Sequence, residues 1–170
     1  MADISDIDSD SAGRVRIDGH KPDAPVAGHI VVGYDTSTGG QHALAVAADF
    51  ARRLDARLHV VHAIDLRDFP TDPDTPDWED AGDLAVARAA QDVRDRLADQ
   101  AVGWTYHAWR GSPVRLLILV AEETDALRMV VGTHGPGLVT MLQRLRAGSV
   151  SRGLVDQALR PVLVVPPPVS

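Results

Sequence analysis

Two short glycine-containing segments near the C-terminus could hold a phosphate group with main-chain atoms alone. The first, Gly132 to Gly135, follows the apolar residues 129–131, so its first glycine stands where a buried strand is predicted to end. The second, Gly148-Ser149, places a serine at the N-cap of a predicted helix. Free amides at a helix start lie at the positive end of the helix dipole, and glycines let the chain approach an anion closely. Together the two segments predict an anion-binding site.

The elements that must position these segments alternate along the chain. Apolar runs typical of buried strands are separated by helical patterns, which predicts an α/β fold with a parallel sheet and right-handed crossovers. Such sheets bind ligands beyond the carboxyl ends of the strands, where the strand order reverses. Asp35 follows the first run and Gly132 ends the fourth, so both would face one crevice if these strands are neighbours. The five runs lie at residues 30–32, 58–64, 104–109, 127–131 and 162–165.

Composition excludes several kinds of chemistry. The chain of 170 residues has no cysteine, which excludes disulfides, thiolate metal sites and thiol nucleophiles. Its formal net charge of −7 argues against general binding of nucleic acid. The only lysine is Lys21, and no GxxxxGK(S/T) motif occurs, so a P-loop is absent. With no apolar run of membrane-spanning length and no signal peptide pattern, we expect a cytoplasmic protein without a membrane partner.

Three segments are predicted along the chain. Residues 1–28 are rich in Asp, Ser and Gly and cannot bury enough apolar surface to offset the entropy of ordering, so they are predicted to be a flexible acidic tail. Residues 29–166 are predicted to form one domain, and residues 167–170 a short C-terminal tail.

Five motifs follow one another along the chain: VVGYD at 31–35, HAID at 62–65, RGSP at 110–113, VVGTHG at 130–135 with GSVS at 148–151, and PVLVV at 161–165. With these motifs the chain resembles the universal stress protein family over residues 29–166, and no single motif decides this, but their common order does. The resemblance implies a five-stranded parallel sheet of order 3-2-1-4-5 with helices on both faces, a Rossmann-like fold of the adenine nucleotide alpha hydrolase type. It also implies binding of ATP, or of ADP or cyclic AMP.

The resemblance also implies roles for individual positions. It places Asp35 on the ribose or phosphate side of the nucleotide and the main chain of Ala63 against the adenine edge. His134 could donate a hydrogen bond to a phosphate or could only shape the turn. Val131 would line the pocket, and the phosphates would be surrounded by Gly132, Gly135, Gly148, Ser149 and Val150. The candidate nucleotide-binding residues are therefore Gly33, Asp35, Ala63, Val131, Gly132, His134, Gly135, Gly148, Ser149 and Val150.

One departure from the family pattern concerns the loop at residues 136–147. It is longer by three residues, which adds roughly 10 Å of extended chain or about one helical turn. One interpretation is a lid in which Arg144 and Arg146 screen phosphate charge in place of the missing lysine. The other interpretation is a longer surface loop with solvated arginines.

Other functional readings are weaker. His59 and His62 stand three residues apart on a predicted strand and would point to opposite faces, so they cannot share a metal ion.

Residues 37–40 are similar to the phosphate loop of ATP pyrophosphatases, but Gln41-His42 replaces its expected ending. The glycines at 132–137 stand in the reverse order of a dinucleotide fingerprint. Asp35 could hold Mg²⁺ with a bound nucleotide, yet no tuned general base is apparent, so we do not expect an enzyme beyond slow ATP hydrolysis.

The last apolar run, Val162 to Val165, is predicted to form an edge strand, which is prone to associate unless it is covered. The family pairs this edge across a two-fold axis, so we expect a homodimer, with covering by the N-terminal tail as the alternative. The resemblance thus implies a stress-linked regulator or sensor that binds an adenine nucleotide. The alternatives are a nucleotide-free dimeric interaction protein of the same fold and a slow ATPase or nucleotidyl-transfer enzyme.

Overall fold

The computed structural model describes residues 14–19, 25–64, 78–132 and 160–166. In these ranges six strands and three helices are present. The helix predicted to begin at Ser149 lies outside them. The strands are β1 (Val15–Asp18), β2 (Gly28–Gly33), β3 (Ala56–Ile64), β4 (Trp104–Arg110), β5 (Arg128–Gly132) and β6 (Val162–Val165). The helices are α1 (Thr38–Arg53), α2 (Trp78–Leu97) and α3 (Pro113–Glu123).

All six strands form one sheet in the order β1-β4-β3-β2-β5-β6. The five strands from β2 to β6 are mutually parallel, and their order is the 3-2-1-4-5 order expected for the predicted strands. The predicted strand number is wrong, because β1 adds a sixth strand that pairs antiparallel with β4. β2, which carries the first predicted site residues, therefore lies in the centre of the sheet.

β1 also corrects, for residues 14–19, the prediction that residues 1–28 form a flexible tail; most of that segment lies outside the described ranges. Val15 and Ile17 alternate with the polar residues Arg16 and Asp18, and both apolar side chains pack against the core. The backbone N–H of Gly19 donates to the carbonyl oxygen of Trp104 at 2.9 Å, continuing the pairing beyond the strand. The strand forms because it satisfies the backbone groups of the β4 edge and buries two apolar side chains, gains that composition does not reveal.

The sheet carries a hydrophobic cluster on each face, as strands that are apolar on both sides require. One cluster joins α1 and α2 to Ile30, Val32 and Val60, and on α1 it buries one helical face formed by Leu44, Ala47, Ala48 and Ala51. The other joins α3 to Val31 and Val61. Helices thus lie on both faces of the sheet. The candidate site residues stand at the carboxyl ends of the strands, between the two helix layers. None of the helices in the described ranges is both long and apolar enough to cross a membrane.

Candidate functional site

The carboxyl ends of β2, β3 and β5 lie side by side at one edge of the sheet. Gly33 pairs with Val61 on β3, and Val32 pairs with Val130 on β5, so β3 continues three residues past the last residue of β2 and β5 continues one residue past it. The N–H of Tyr34 donates to the carbonyl oxygen of Val61 at 2.9 Å, which extends the pairing one residue past β2. The residues that follow these strands therefore reach a common crevice.

The N-terminus of α1 contacts the end of β5 directly. A Cβ atom added to Gly132 would lie 2.5 Å from the carbonyl oxygen of Gly39 and 3.3 Å from the backbone nitrogen of Gly40. Such distances leave no room for any side chain, so glycine is required at position 132 by close approach. This contact joins the first turn of α1 to the start of the segment at 132–135.

Asp35 lies beside the same helix N-terminus. Its Oδ1 accepts hydrogen bonds from the backbone N–H of Ser37, at 3.2 Å, and from the hydroxyl of Ser37. Ser37 is the N-cap of α1, and its Oγ accepts the N–H of Gly40 at 3.1 Å. A side chain at Gly40 would overlap the backbone and carboxylate of Asp35. The half-buried carboxylate is therefore fixed at the positive end of the α1 dipole.

Tyr34, between Gly33 and Asp35, anchors the chain after β2 to helix α2. The buried Tyr34 donates its hydroxyl hydrogen to the carboxylate of Asp92, which also accepts from Arg96 Nε at 2.8 Å. Burial raises the pKa of Tyr34, and the hydrogen bond to Asp92 raises it further. The phenol therefore stays neutral and acts as a fixed support for the chain that leads into Asp35.

The structure confirms that His59 and His62 point to opposite faces. His59 Nδ1 lies 3.0 Å from His107 Nε2 on the α3 side, whereas His62 Nδ1 lies 2.7 Å from the hydroxyl of Tyr106 on the α2 side. His62 also contacts the Tyr34 ring edge-on. Among the residues that the structure describes, no group of three potential ligands could hold a metal ion.

Half of the candidate residues lie at this edge. Gly33 and Gly132 end their strands, Asp35 follows β2, and Ala63 is the last residue but one of β3. The side chain of Val131 packs in the α3 cluster. The loop at 136–147, with Arg144 and Arg146, lies outside the described ranges, as do His134, Gly135, Gly148, Ser149 and Val150. The supporting roles of Ser37, Tyr34 and Asp92 were not predicted from the sequence. Of these, only Ser37 had a local signal, as a serine directly before Thr38, the first residue of α1.

Comparison with known proteins agrees with this geometry. The model of the universal stress protein family matches residues 27–166. The chain belongs to the universal stress protein family. Because that match covers both Asp35 and Gly132, the candidate site lies wholly within the family domain.

A curated relative and solved structures of the family align with most of this chain. A universal stress protein of Methanocaldococcus jannaschii is 28% identical over 143 residues, covering 82% of each chain. A universal stress protein crystallised in complex with cyclic AMP is 27% identical, with a TM-score of 0.60 over 85% of this chain and 100% of that one. A family member from Burkholderia pseudomallei, at 24% identity, has a TM-score of 0.58 over the same shares and shows the fold alone.

Proposed function

We propose that this universal stress protein binds an adenine nucleotide at the carboxyl edge of its sheet, between β2 and β5, and acts as a stress-linked regulator or sensor in the cytoplasm. The observation that carries the proposal is the contact of the α1 N-terminus with Gly132. It supports the proposal because amides of a helix start and a glycine at a strand end favour a bound anion. The relative crystallised with cyclic AMP, at 27% identity, adds support for the adenine part.

In this proposal each edge residue has a separate task. Asp35 meets the ribose or phosphate side, and its orientation is held by Ser37. The main chain of Ala63, at the end of β3, meets the adenine edge. Gly132 begins the phosphate segment, which Gly135, Gly148, Ser149 and Val150 complete, with His134 as a further donor. ATP is our preferred ligand over ADP and cyclic AMP. Mg²⁺ suits this site when it shares the Asp35 carboxylate with the phosphates, since it commonly uses one or two carboxylates.

Calorimetric titration tests the proposal through a matched pair of variants. Wild-type protein is expected to release heat with ATP, and Asp35→Ala to bind at least roughly tenfold more weakly because a positioned polar contact is worth about 1.5 kcal/mol or more. Asp49→Ala is the control, since Asp49 is an exposed α1 carboxylate that pairs with Arg52 and Arg53.

The results also separate the alternatives. Absence of heat with ATP, ADP and cyclic AMP, together with no nucleotide released on denaturing the purified protein, would contradict the proposal and favour a nucleotide-free interaction protein. ADP formed in step with added wild-type protein, and not with Asp35→Ala, would indicate the slow ATPase.

We further propose that two chains pair through β6 as a homodimer. β6 lies at the end of the sheet, and its Val162 and Val164 side chains are 48% and 39% exposed. β1 occupies the opposite edge of the sheet, so this part of the N-terminal segment does not cover β6. An exposed apolar edge strand favours pairing with a second copy.

Val164→Lys is expected to convert the dimer to a monomer, because each interface would then bury an unpaired charge near the two-fold axis. Light scattering coupled to size-exclusion chromatography measures the change. Leu84→Lys is the control, since Leu84 is a 50% exposed apolar side chain on α2, away from the edge. A monomeric wild type, or a dimer that survives Val164→Lys, would contradict the β6 interface.

A further inference from the structure

Three histidines from neighbouring strands form a hydrogen-bonded row on the α3 side of the sheet. His29 Nδ1 on β2 lies 3.0 Å from His59 Nε2 on β3, and His59 Nδ1 lies 3.0 Å from His107 Nε2 on β4. His59 and His107 are buried, whereas His29 is half-buried. We call these three residues the histidine row. It is a linear chain, because each contact joins a different pair of ring nitrogens.

Arg14, the residue before β1, contacts the histidine row at its His107 end. Its Nη2 lies 3.0 Å from His107 Nδ1, and its guanidinium pairs with the carboxylate of Glu123 on α3 at 2.8 and 3.0 Å. The guanidinium also lies 5.4 Å from the centre of the Trp109 ring, within cation–π range. The side chain is only 15% exposed. Arg14 therefore fastens the start of β1 to both β4 and α3.

The hydrogen count in the histidine row depends on Arg14. A guanidinium can only donate, so His107 Nδ1 must accept, and His107 carries its hydrogen on Nε2. That hydrogen is donated to His59, and His59 in turn donates from Nε2 to His29 Nδ1. Three neutral rings supply the hydrogens for these contacts with one left on His29 Nε2. Any added proton forces two N–H groups to face each other, either within the row or against Arg14.

We propose that the histidine row is a pH-sensitive clasp, in which protonation of the row and the seating of Arg14 exclude each other, so that acidification releases β1 from β4. Release of β1 takes the Arg14 guanidinium away from His107 Nδ1, so this nitrogen can accept a proton. The Glu123 carboxylate, no longer paired with Arg14, then lies beside the imidazolium. It also opens the backbone edge of β4, which β1 pairs at residues 105–108.

Charges on every neighbouring element act on the histidine row. Arg57 on β3 and Arg16 on β1 disfavour imidazolium, whereas Asp18 and Asp125 favour it. Burial is the largest cause and holds the pKa of both His59 and His107 at about 3, and it also lowers the pKa of His29. Among the residues that the structure describes, the charged and titratable groups at the row are its own His29 on β2, His59 on β3 and His107 on β4, with Arg57 on β3, Arg14, Arg16 and Asp18 at β1, Glu123 on α3, and Asp125 after α3.

Amide hydrogen exchange of the peptide that carries residues 14–19 tests the clasp. Exchange is measured by mass spectrometry at about pH 7.5 and about pH 5.5 and is normalised to the unstructured chain at each pH. Protection of β1 is expected to fall at least roughly tenfold at the lower pH, because one proton with a free pKa near 6.5 is taken up on opening. The peptide covering β3 is expected to keep its protection.

Arg14→Met is the decisive variant. It is expected to weaken β1 protection at about pH 7.5 and to make its pH dependence smaller than in wild type, because the opposing donor is gone although the row stays buried. Histidine titration by NMR adds a readout that does not depend on β1 staying paired: the pKa values of His59 and His107 are expected to rise in this variant. His42→Gln, which removes a histidine on α1, is expected to behave as wild type. Equal β1 protection at both pH values in wild type, or unchanged pH dependence and histidine pKa values in Arg14→Met, would overturn the proposal.

Discussion

Gly132→Ala is expected to lower the free energy of unfolding by about 3 kcal/mol and to remove nucleotide binding. The added Cβ would lie 2.5 Å from the carbonyl oxygen and 2.8 Å from the carbonyl carbon of Gly39. Both atoms belong to the backbone, so the N-terminus of α1 must move away from β5 to make room. That movement separates the two elements proposed to hold the phosphates. Urea unfolding and calorimetric titration with ATP measure the two effects.

Gly28→Ala provides a control of the same chemistry. Its Cβ would lie 2.6 Å from Leu127 Cδ1, which is the end of a flexible side chain that is 44% exposed. Leu127 can rotate away, so we expect a loss of less than about 1 kcal/mol and unchanged binding. If Gly132→Ala were no more destabilising than Gly28→Ala, the close approach of α1 and β5 would not be the constraint described here.

The free energy of unfolding is expected to fall by about 3 kcal/mol between about pH 7.5 and about pH 4.5. His59 and His107 have a folded pKa of about 3, mainly because of burial, whereas the unfolded chain titrates near 6.5. Above that value both states are neutral and stability is complete. Below it the unfolded state binds protons that the folded row refuses, so stability is lost as the pH falls. Each histidine lowers the free energy of unfolding by at most about 3 kcal/mol over this window. The combined loss is smaller than the sum for two histidines, because the folded chain with β1 released also takes up protons.

Urea unfolding at a series of pH values measures this loss. The range above about pH 4.5 keeps the contribution of Asp18, Asp49 and Asp92 small, since their folded pKa is lowered and the stability they give is lost only as the pH falls through the unfolded value of about 3.9. The double variant His59→Gln with His107→Gln is expected to show a shallower profile, because glutamine offers a donor and an acceptor without titrating. His42→Gln is expected to keep the wild-type profile. A flat wild-type profile across this range would contradict a neutral buried row.

The parallel sheet could be predicted because its strands carry a strong local signal. Residues 30–32 and 162–165 are short runs of mainly β-branched residues, and the helical stripe of α1 is equally regular. β1 could not be predicted in this way. Its four residues alternate as a strand should, but they stand in an acidic segment. The strand forms only by pairing with β4, which begins at Trp104, 89 residues after Val15.

The site was predictable only where local sequence positions it. Asp35 and Gly132 could be found because they follow apolar runs, and the family resemblance gave them roles. The contacts that hold them in place join distant positions: Tyr34 with Asp92, and Gly132 with Gly39. The histidine row joins positions 29, 59 and 107 in the same way. No spacing rule links such residues, because strand register and helix placement decide which side chains meet.

A crystal structure of the protein grown with saturating ATP and Mg²⁺ tests the central proposal most directly. We expect adenine against the main chain of Ala63, the ribose side near Asp35, and the phosphates between Gly132 and the N-terminus of α1. Crystals that hold no nucleotide at this edge, or that hold it elsewhere on the molecule, would contradict the site.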